Sequence, residues 1–458
     1  MAIAVGDLNP RPTAAVDSQW RRIVTPIPVP ESIPMIERLR AAEPRSMAGM
    51  PPIVWHEAEG FLVRDAFGNQ WIDLTSGIVV ANAGHSHPRI LDAIRAAIDQ
   101  KLLATYAFSS NARLQLVEKL VALSPIPNSK AILFSSGTEA TECMISLMRG
   151  RGRQINPHKV AILGFTNHYH GRTLGAQLAG GQSLDWIDRE RVHYLQMPFP
   201  NFQNSCEDKS ADALFESFLT HLSERGVDPD QIAGLILEPA PGTTTEPIPR
   251  DFGAALAAWA RRHDVLIGFD EIQCGCGRTG TFFACEQTGM TPDLIALGKG
   301  LTSSLPVSAV LGPADILDQA EPGEMSSTHG GNPVCAAAAL ANLQVIEEEH
   351  LVEASARTGA RVRERLRSFA DEFPASVRSV NGVGLFISIH FHQPDGQPDV
   401  ELADALALEA VRSGVLMFTT GRGYLKFTPP LSIDPAAADE AADVIRECFA
   451  RVTNGEDR

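Results

Sequence analysis

The sequence predicts an α/β fold: a mostly parallel central sheet sandwiched by helices, with a smaller α+β domain drawn from both chain ends. Three observations carry this. First, six apolar runs alternate with helical patterns between residues 80 and 345: Ala131–Phe134, Val160–Phe165, Gly234–Leu237, Val265–Phe269, Leu294–Leu297 and Val307–Leu311. Second, these runs lack a polar–apolar alternation, which suits strands buried on both faces of a parallel sheet. Third, beyond residue 346 helical patterns mix with strand-like Gly384–Phe391, Val415–Phe418 and Tyr424–Phe427. At 458 residues the chain also exceeds what one core organises.

The elements divide the chain in order. Residues 1–34 hold Pro10, Pro12, Pro26, Pro28, Pro30 and Pro34 and read as an extended N-terminal arm. Residues 35–79 form the N-terminal part of the small domain, with two short strands flanking the turn Phe67-Gly68-Asn69. Residues 80–345 form the large domain. Within it, alanine-rich Asp251–Arg262 lies between two apolar runs and starts at an acid suited to an N-cap, as in a βαβ crossover. Residues 346–458 complete the small α+β domain.

Bulk properties narrow the function. The formal net charge of −16 argues against nucleic acid and anionic membranes as partners. It is compatible with a cationic substrate. Seven cysteines are an odd number in a long chain and make no disulfide framework. Cys274-Gly275-Cys276 lacks a second Cys or His pair at metal-site spacing, so no metal is expected. No apolar run reaches membrane-spanning length, and no cleavable leader pattern is present, so a cytoplasmic location is expected.

Chemistry concentrates where the apolar runs end. Ligands of open α/β sheets sit outside the carboxyl ends of the strands. Here one run ends in Asp270, one in Glu238, one opens into Ser135-Ser136-Gly137-Thr138-Glu139, and one leads to Lys299. A lysine after a strand is ordinarily a solvated charge. A lysine and an acid from neighbouring strand ends, however, are what pyridoxal phosphate requires: an amine for its aldehyde and a carboxylate for its ring nitrogen. The Ser136–Glu139 segment opens a helix, which is either a simple capped start or a phosphate site. The Met144, Leu147 and Met148 stripe reads as core. Tyr169 follows another strand and suits either packing or stacking on a flat ring. His168 and His170 beside it have no acidic or cysteine cluster in sequence to make them a metal pair.

In their order along the chain, these motifs resemble the class III aminotransferases, the family of ornithine and 4-aminobutyrate aminotransferases. The resemblance spans roughly residues 35 to 445. It rests on Ser76-Gly77-Ile78 with Gly84-His85-Ser86-His87-Pro88, Ser136-Gly137-Thr138-Glu139-Ala140, Tyr169-His170-Gly171-Arg172-Thr173 and Glu238-Pro239. It continues through Asp270-Glu271-Ile272-Gln273, Gly277-Arg278-Thr279-Gly280, Gly298-Lys299-Gly300 and Thr328-His329-Gly330-Gly331-Asn332-Pro333.

The resemblance implies a fold-type I enzyme using pyridoxal 5'-phosphate. Lys299 would carry the cofactor as a Schiff base and then shuttle the proton. Asp270 would pair with the ring nitrogen, Gln273 would bond near the ring 3-oxygen, and Tyr169 would stack on the ring. Ser136, Gly137 and Thr138 would hold the phosphate. Thr328 would reach the phosphate of a neighbouring subunit, which implies a homodimer. Ile78, Arg172, Glu238 and Lys426 are the candidate substrate residues. Arg172 is either a contact for a distal carboxylate or a structural arginine. Lys426 stands where the family places an arginine that clamps the substrate α-carboxylate, and a lysine cannot form that planar fork.

The expected activity is amino transfer from a primary amine donor to a keto or aldehyde acceptor. Lys426 and the acidic charge balance point to an aminosugar, aminoglycoside or other donor without an α-carboxylate. An ω-amino acid of the 4-aminobutyrate or ornithine type is the second donor class. An epimerase or racemase on the same fold shares the same first chemistry.

Overall fold

The computed structural model describes residues 7–181, 184–200, 210–419 and 421–454. The chain forms two compact units, one from Met1–His87 with Glu353–Arg458 and one from Pro88–Val352. The first unit begins with β1 (Val16–Asp17), β2 (Arg22–Ile23), β3 (Glu57–Glu59), β4 (Leu62–Arg64) and β5 (Gln70–Asp73). These lie in the order β1-β2-β5-β4-β3. The segment expected as an extended arm is therefore built into a sheet. Prolines keep it extended, but Ile23, Ile27 and Val29 between them are apolar and pack into a core with Val63, Trp71 and Val411. The expected turn at Phe67-Gly68-Asn69 is closed by Asp65, whose Oδ1 accepts the amides of Phe67 (2.8 Å) and Asn69 (2.9 Å).

The second unit holds a seven-stranded sheet: β6 (Ser129–Phe134), β7 (Ala161–Phe165), β8 (Tyr194–Met197), β9 (Ile232–Leu237), β10 (Leu266–Asp270), β11 (Leu294–Leu297) and β12 (Ser308–Pro313). Their order is β6-β12-β11-β10-β9-β7-β8. Pairing is parallel throughout except at β12, which is antiparallel to both its neighbours. The helix Gly137–Ile155 lays Met144, Leu147 and Met148 into the core beneath the sheet. Met148 is fitted so closely that a Cβ on Gly268 of β10 would lie 2.4 Å from its Cε. The helix expected from Asp251 spans Arg250–Arg262, with Pro249 at the cap and Asp251 inside the first turn, where its charge still favours the helix dipole. Edge strand β8 has no apolar run to announce it. Its Gln196 turns inward, and Nε2 donates to the carbonyls of Leu178 and Ala179.

The chain returns to the first unit with β13 (Val377–Val383), β14 (Phe386–Phe391), β15 (Val415–Leu416) and β16 (Tyr424–Phe427). β13, β14 and β16 form an antiparallel sheet, and β15 adds to β5 in parallel. No helix among the described residues is long and apolar enough to cross a membrane.

Candidate active site

Five strand ends of the second unit deliver the candidate residues, all from the carboxyl ends of mutually parallel strands. Lys299 follows β11 and opens a short 3-10 turn, Lys299–Leu301. Its φ of 41° lies in the left-handed region, which costs a non-glycine residue roughly 1–2 kcal/mol and persists where the surroundings dictate it. Burial of the amine lowers its pKa, opposed by the negative charges of Asp270 and Glu238. Lys299 Nζ lies 5.9 Å from the centre of the Tyr169 ring.

Asp270 closes β10 and is only 2% exposed. Its Oδ2 is 2.7 Å from His170 Nδ1, and its Oδ1 accepts the Ile272 amide at 3.0 Å.

Glu238 follows β9 and is 1% exposed. Oε1 accepts the Tyr169 amide at 2.6 Å, and Oε2 accepts the Gly242 amide at 2.7 Å. Gln273 Nε2 approaches the same Oε2 at 3.5 Å. Burial, then the nearby charge of Asp270, pushes the Glu238 carboxyl up to about 7, against the pull of His170 and the two amides. The Glu238 backbone amide donates to His168 Nδ1 at 3.1 Å. That bond puts the His168 proton on Nε2, and burial holds its pKa well below the ordinary value.

The phosphate-loop candidates open the helix after β6. Glu139 reaches back, and its Oε2 accepts the amides of Ser135 (3.1 Å) and Ser136 (2.8 Å) and the Ser136 hydroxyl (2.9 Å). Both sequence readings thus meet here: the start is capped, and the following amides of Gly137 and Thr138 occupy the turn where helical N–H groups have no helical acceptor. Ser327 Oγ donates to Glu139 Oε1 at 3.0 Å, which ties the loop carrying Thr328 to this start. Burial raises the Glu139 pKa, but bonds from Ser136, Ser327 and Ser135 outweigh it and hold the carboxyl low. Thr138 Oγ1 pairs with Thr173 Oγ1 at 2.6 Å. Gly171 presses against the same threonine: at φ +136° a Cβ there would lie 2.3 Å from Thr138 Oγ1. Thr328 itself is exposed. Arg172 is exposed too, with its guanidinium carbon 5.2 Å from the centre of the Tyr169 ring.

Two candidates belong to the first unit. Lys426 on β16 is 5% exposed, and its Nζ lies 5.8 Å from the ring centres of both Phe386 and Phe418. Ile78 sits in a left-handed turn in which Ser76, Gly77, Ile78 and Val79 all have φ between 49° and 66°. β-Branched residues resist that region. Thr75 Oγ1 accepts the Gly77 amide, and the Ser76 hydroxyl donates to the Thr428 carbonyl at 2.6 Å, so buried polar bonds hold the turn.

Within the second unit, then, Lys299, Asp270, Glu238, Gln273 and Tyr169 form one connected cluster. His168, His170 and Gly242 join it without having been identified from sequence as site residues. The histidines flank Tyr169 and are both buried, whereas Tyr169 is half-buried.

Residues 44–449 match the family model for class III aminotransferases. The chain is 32% identical over 440 residues to a 4-aminobutyrate aminotransferase of Mycobacterium leprae, covering 93% of this chain and 97% of the relative. It is 30% identical over 457 residues to an alanine/serine racemase of Pyrococcus horikoshii, covering 95% and 94%. A solved transaminase structure with L-alanine superposes with a TM-score of 0.80 at 27% identity, covering 88% of this chain and 100% of that one. This chain belongs to the class III aminotransferases, enzymes that depend on pyridoxal phosphate.

Proposed function

We propose that this aminotransferase takes its amino group from the terminal primary amine of an ω-amino acid and passes it to a keto or aldehyde acceptor. The observation that carries the reading is one aromatic ring shared by two cations: Lys299 Nζ lies 5.9 Å and the Arg172 guanidinium 5.2 Å from the centre of Tyr169. A donor whose amine meets Lys299 has a guanidinium within the same neighbourhood for a carboxylate at its far end. The 4-aminobutyrate relative points the same way. The aminosugar donor expected from sequence rests on Lys426 and net charge alone.

The residues fit the cofactor. A desolvated lysine, a buried carboxylate held from two sides and a helix start with amide donors match its aldehyde, ring nitrogen and phosphate. When bound, pyridoxal phosphate supplies an aldehyde that takes up the amino group and a ring that draws off negative charge. Lys299 Nζ would hold that aldehyde, then move the proton at the amine-bearing carbon, and its lowered pKa favours the neutral amine that a base requires. Asp270 would face the ring nitrogen, its other bonds fixing its plane. Tyr169 would orient the ring by stacking, Gln273 would bond near the ring 3-oxygen, and Ser136, Gly137 and Thr138 would hold the phosphate. Ile78, Arg172 and Lys426 would shape donor choice.

A homodimer is the active form in this reading, with Thr328 serving the neighbour's phosphate. Exposed Leu103 and Phe108 support it, since the Leu103 carbonyl is bonded to Asn332 beside the Thr328 loop. A cytoplasmic location fits the same picture, because none of the six described cysteines is joined in a disulfide.

A donor panel read by the change in cofactor absorbance tests the donor class. 4-Aminobutyrate is expected to react faster than any aminosugar or polyol amine, and the reverse order would overturn the proposal. The racemase relative favours a second reading, reprotonation at the substrate carbon. Deuterium from solvent entering recovered alanine, with inversion and without a keto acceptor, would support it.

A further inference from the structure

We propose that Glu238 is a positioning residue for Tyr169 and not a ligand of any substrate group. The proposal rests on the aminotransferase site described above and assigns one of its acids. Three hydrogen bonds carry it. The Glu238 carboxylate accepts the Tyr169 amide, the Glu238 amide donates to His168, and the second carboxylate oxygen accepts the Gly242 amide. The first two form a reciprocal clasp between the end of β9 and the segment after β7. The third anchors the clasp to the turn that follows Glu238 itself.

Each carboxylate oxygen therefore already serves a backbone donor, at 2.6 and 2.7 Å. Backbone donors do not swing aside as side chains do. With 1% of its surface exposed, Glu238 offers no face to an incoming ammonium. What the clasp does control is the backbone of residue 169, and through it the ring. That ring is the wall against which both Lys299 and Arg172 lie. Glu238 thus acts on every donor equally, because it acts through a group that all donors share.

Glu238→Gln separates the two roles. An amide side chain accepts at Oε1, but its NH2 group opposes one of the two backbone donors, leaving a buried donor unmatched. In the holoenzyme, kcat is expected to fall about 10- to 100-fold by the same factor for 4-aminobutyrate and for n-butylamine, with KM little changed. Visible circular dichroism of the bound cofactor is expected to weaken before any substrate is added, since the ring wall has moved. In a Tyr169→Ala background the same substitution is expected to cost much less, as it acts through the missing ring. Glu238→Asp, which keeps the charge but cannot span both donors, is expected to weaken the dichroism too. It covers the case in which Glu238→Gln does not fold. A loss confined to one donor, a rise in KM alone, unchanged dichroism, or full additivity with Tyr169→Ala would each overturn the proposal. Wild-type enzyme inert toward both amines would instead overturn the donor reading, while the dichroism would still report on Glu238.

Discussion

At the scale of single residues, Lys299 and Asp270 divide the work by environment. Desolvation depresses the lysine and two neighbouring carboxylates restrain it; the net lowering favours the neutral amine that a base requires. Lys299→Ala is expected to keep cofactor by its phosphate contacts while losing the link that borohydride traps. Turnover should fall by at least about 10²–10⁴-fold, the usual worth of a positioned base. Full turnover in that variant would remove Lys299 from the mechanism. Arg172→Gln separates substrate recognition from chemistry. KM for 4-aminobutyrate is expected to rise about 10- to 100-fold, with n-butylamine unaffected. Equal losses for both amines would make Arg172 a structural arginine.

At the scale of elements, the site depends on how closely the helix after β6 fits the sheet. Met148 is fully buried against β10, and Met148→Ala should cost about 2–5 kcal/mol in denaturant unfolding. A cost under about 1 kcal/mol would mean that the helix collapses onto the sheet and fills the gap. Six of the seven sheet strands are visible in the sequence as apolar runs, and for the interior strands β7, β9, β10 and β11 near-complete burial explains the lack of polar residues. Lys299, Asp270 and Glu238 are visible because each breaks or ends such a run. β8 is not visible, since Gln196 breaks its four-residue run even though all four residues are buried. Nor is the pairing of β1 and β2 with β5, where proline content masks the apolar residues between. The bonds that organise the acids are also illegible: His170 meets Asp270 across 100 residues of chain, and His168 meets Glu238 across 70. Local pattern carries no information about partners so distant, whereas family resemblance supplies residue roles but not this clasp.

At the scale of the whole molecule, buried acids make stability depend on pH. Burial is the first cause that pushes both Glu238 and Glu271 up to about 7 from an ordinary 4.5. Between those values the folded chain retains protons that the unfolded chain has released, so stability falls as pH rises. The contribution is fully present below about 4.5 and lost by the time pH passes about 7. Urea midpoints are expected to decline across that window, and more shallowly in Glu271→Gln; identical profiles for the two proteins would contradict this. A second whole-molecule expectation is a homodimer of the 49.4 kDa chain, checked by light scattering of the holoenzyme. A monomer with full activity would contradict the role given to Thr328.

The most direct test of the whole account joins cofactor, lysine and stoichiometry. Holoenzyme reduced with borohydride and digested should yield one pyridoxyl-peptide per chain, with the modification on Lys299. A label on another lysine, or none, would contradict the assignment from which the rest of the site is built.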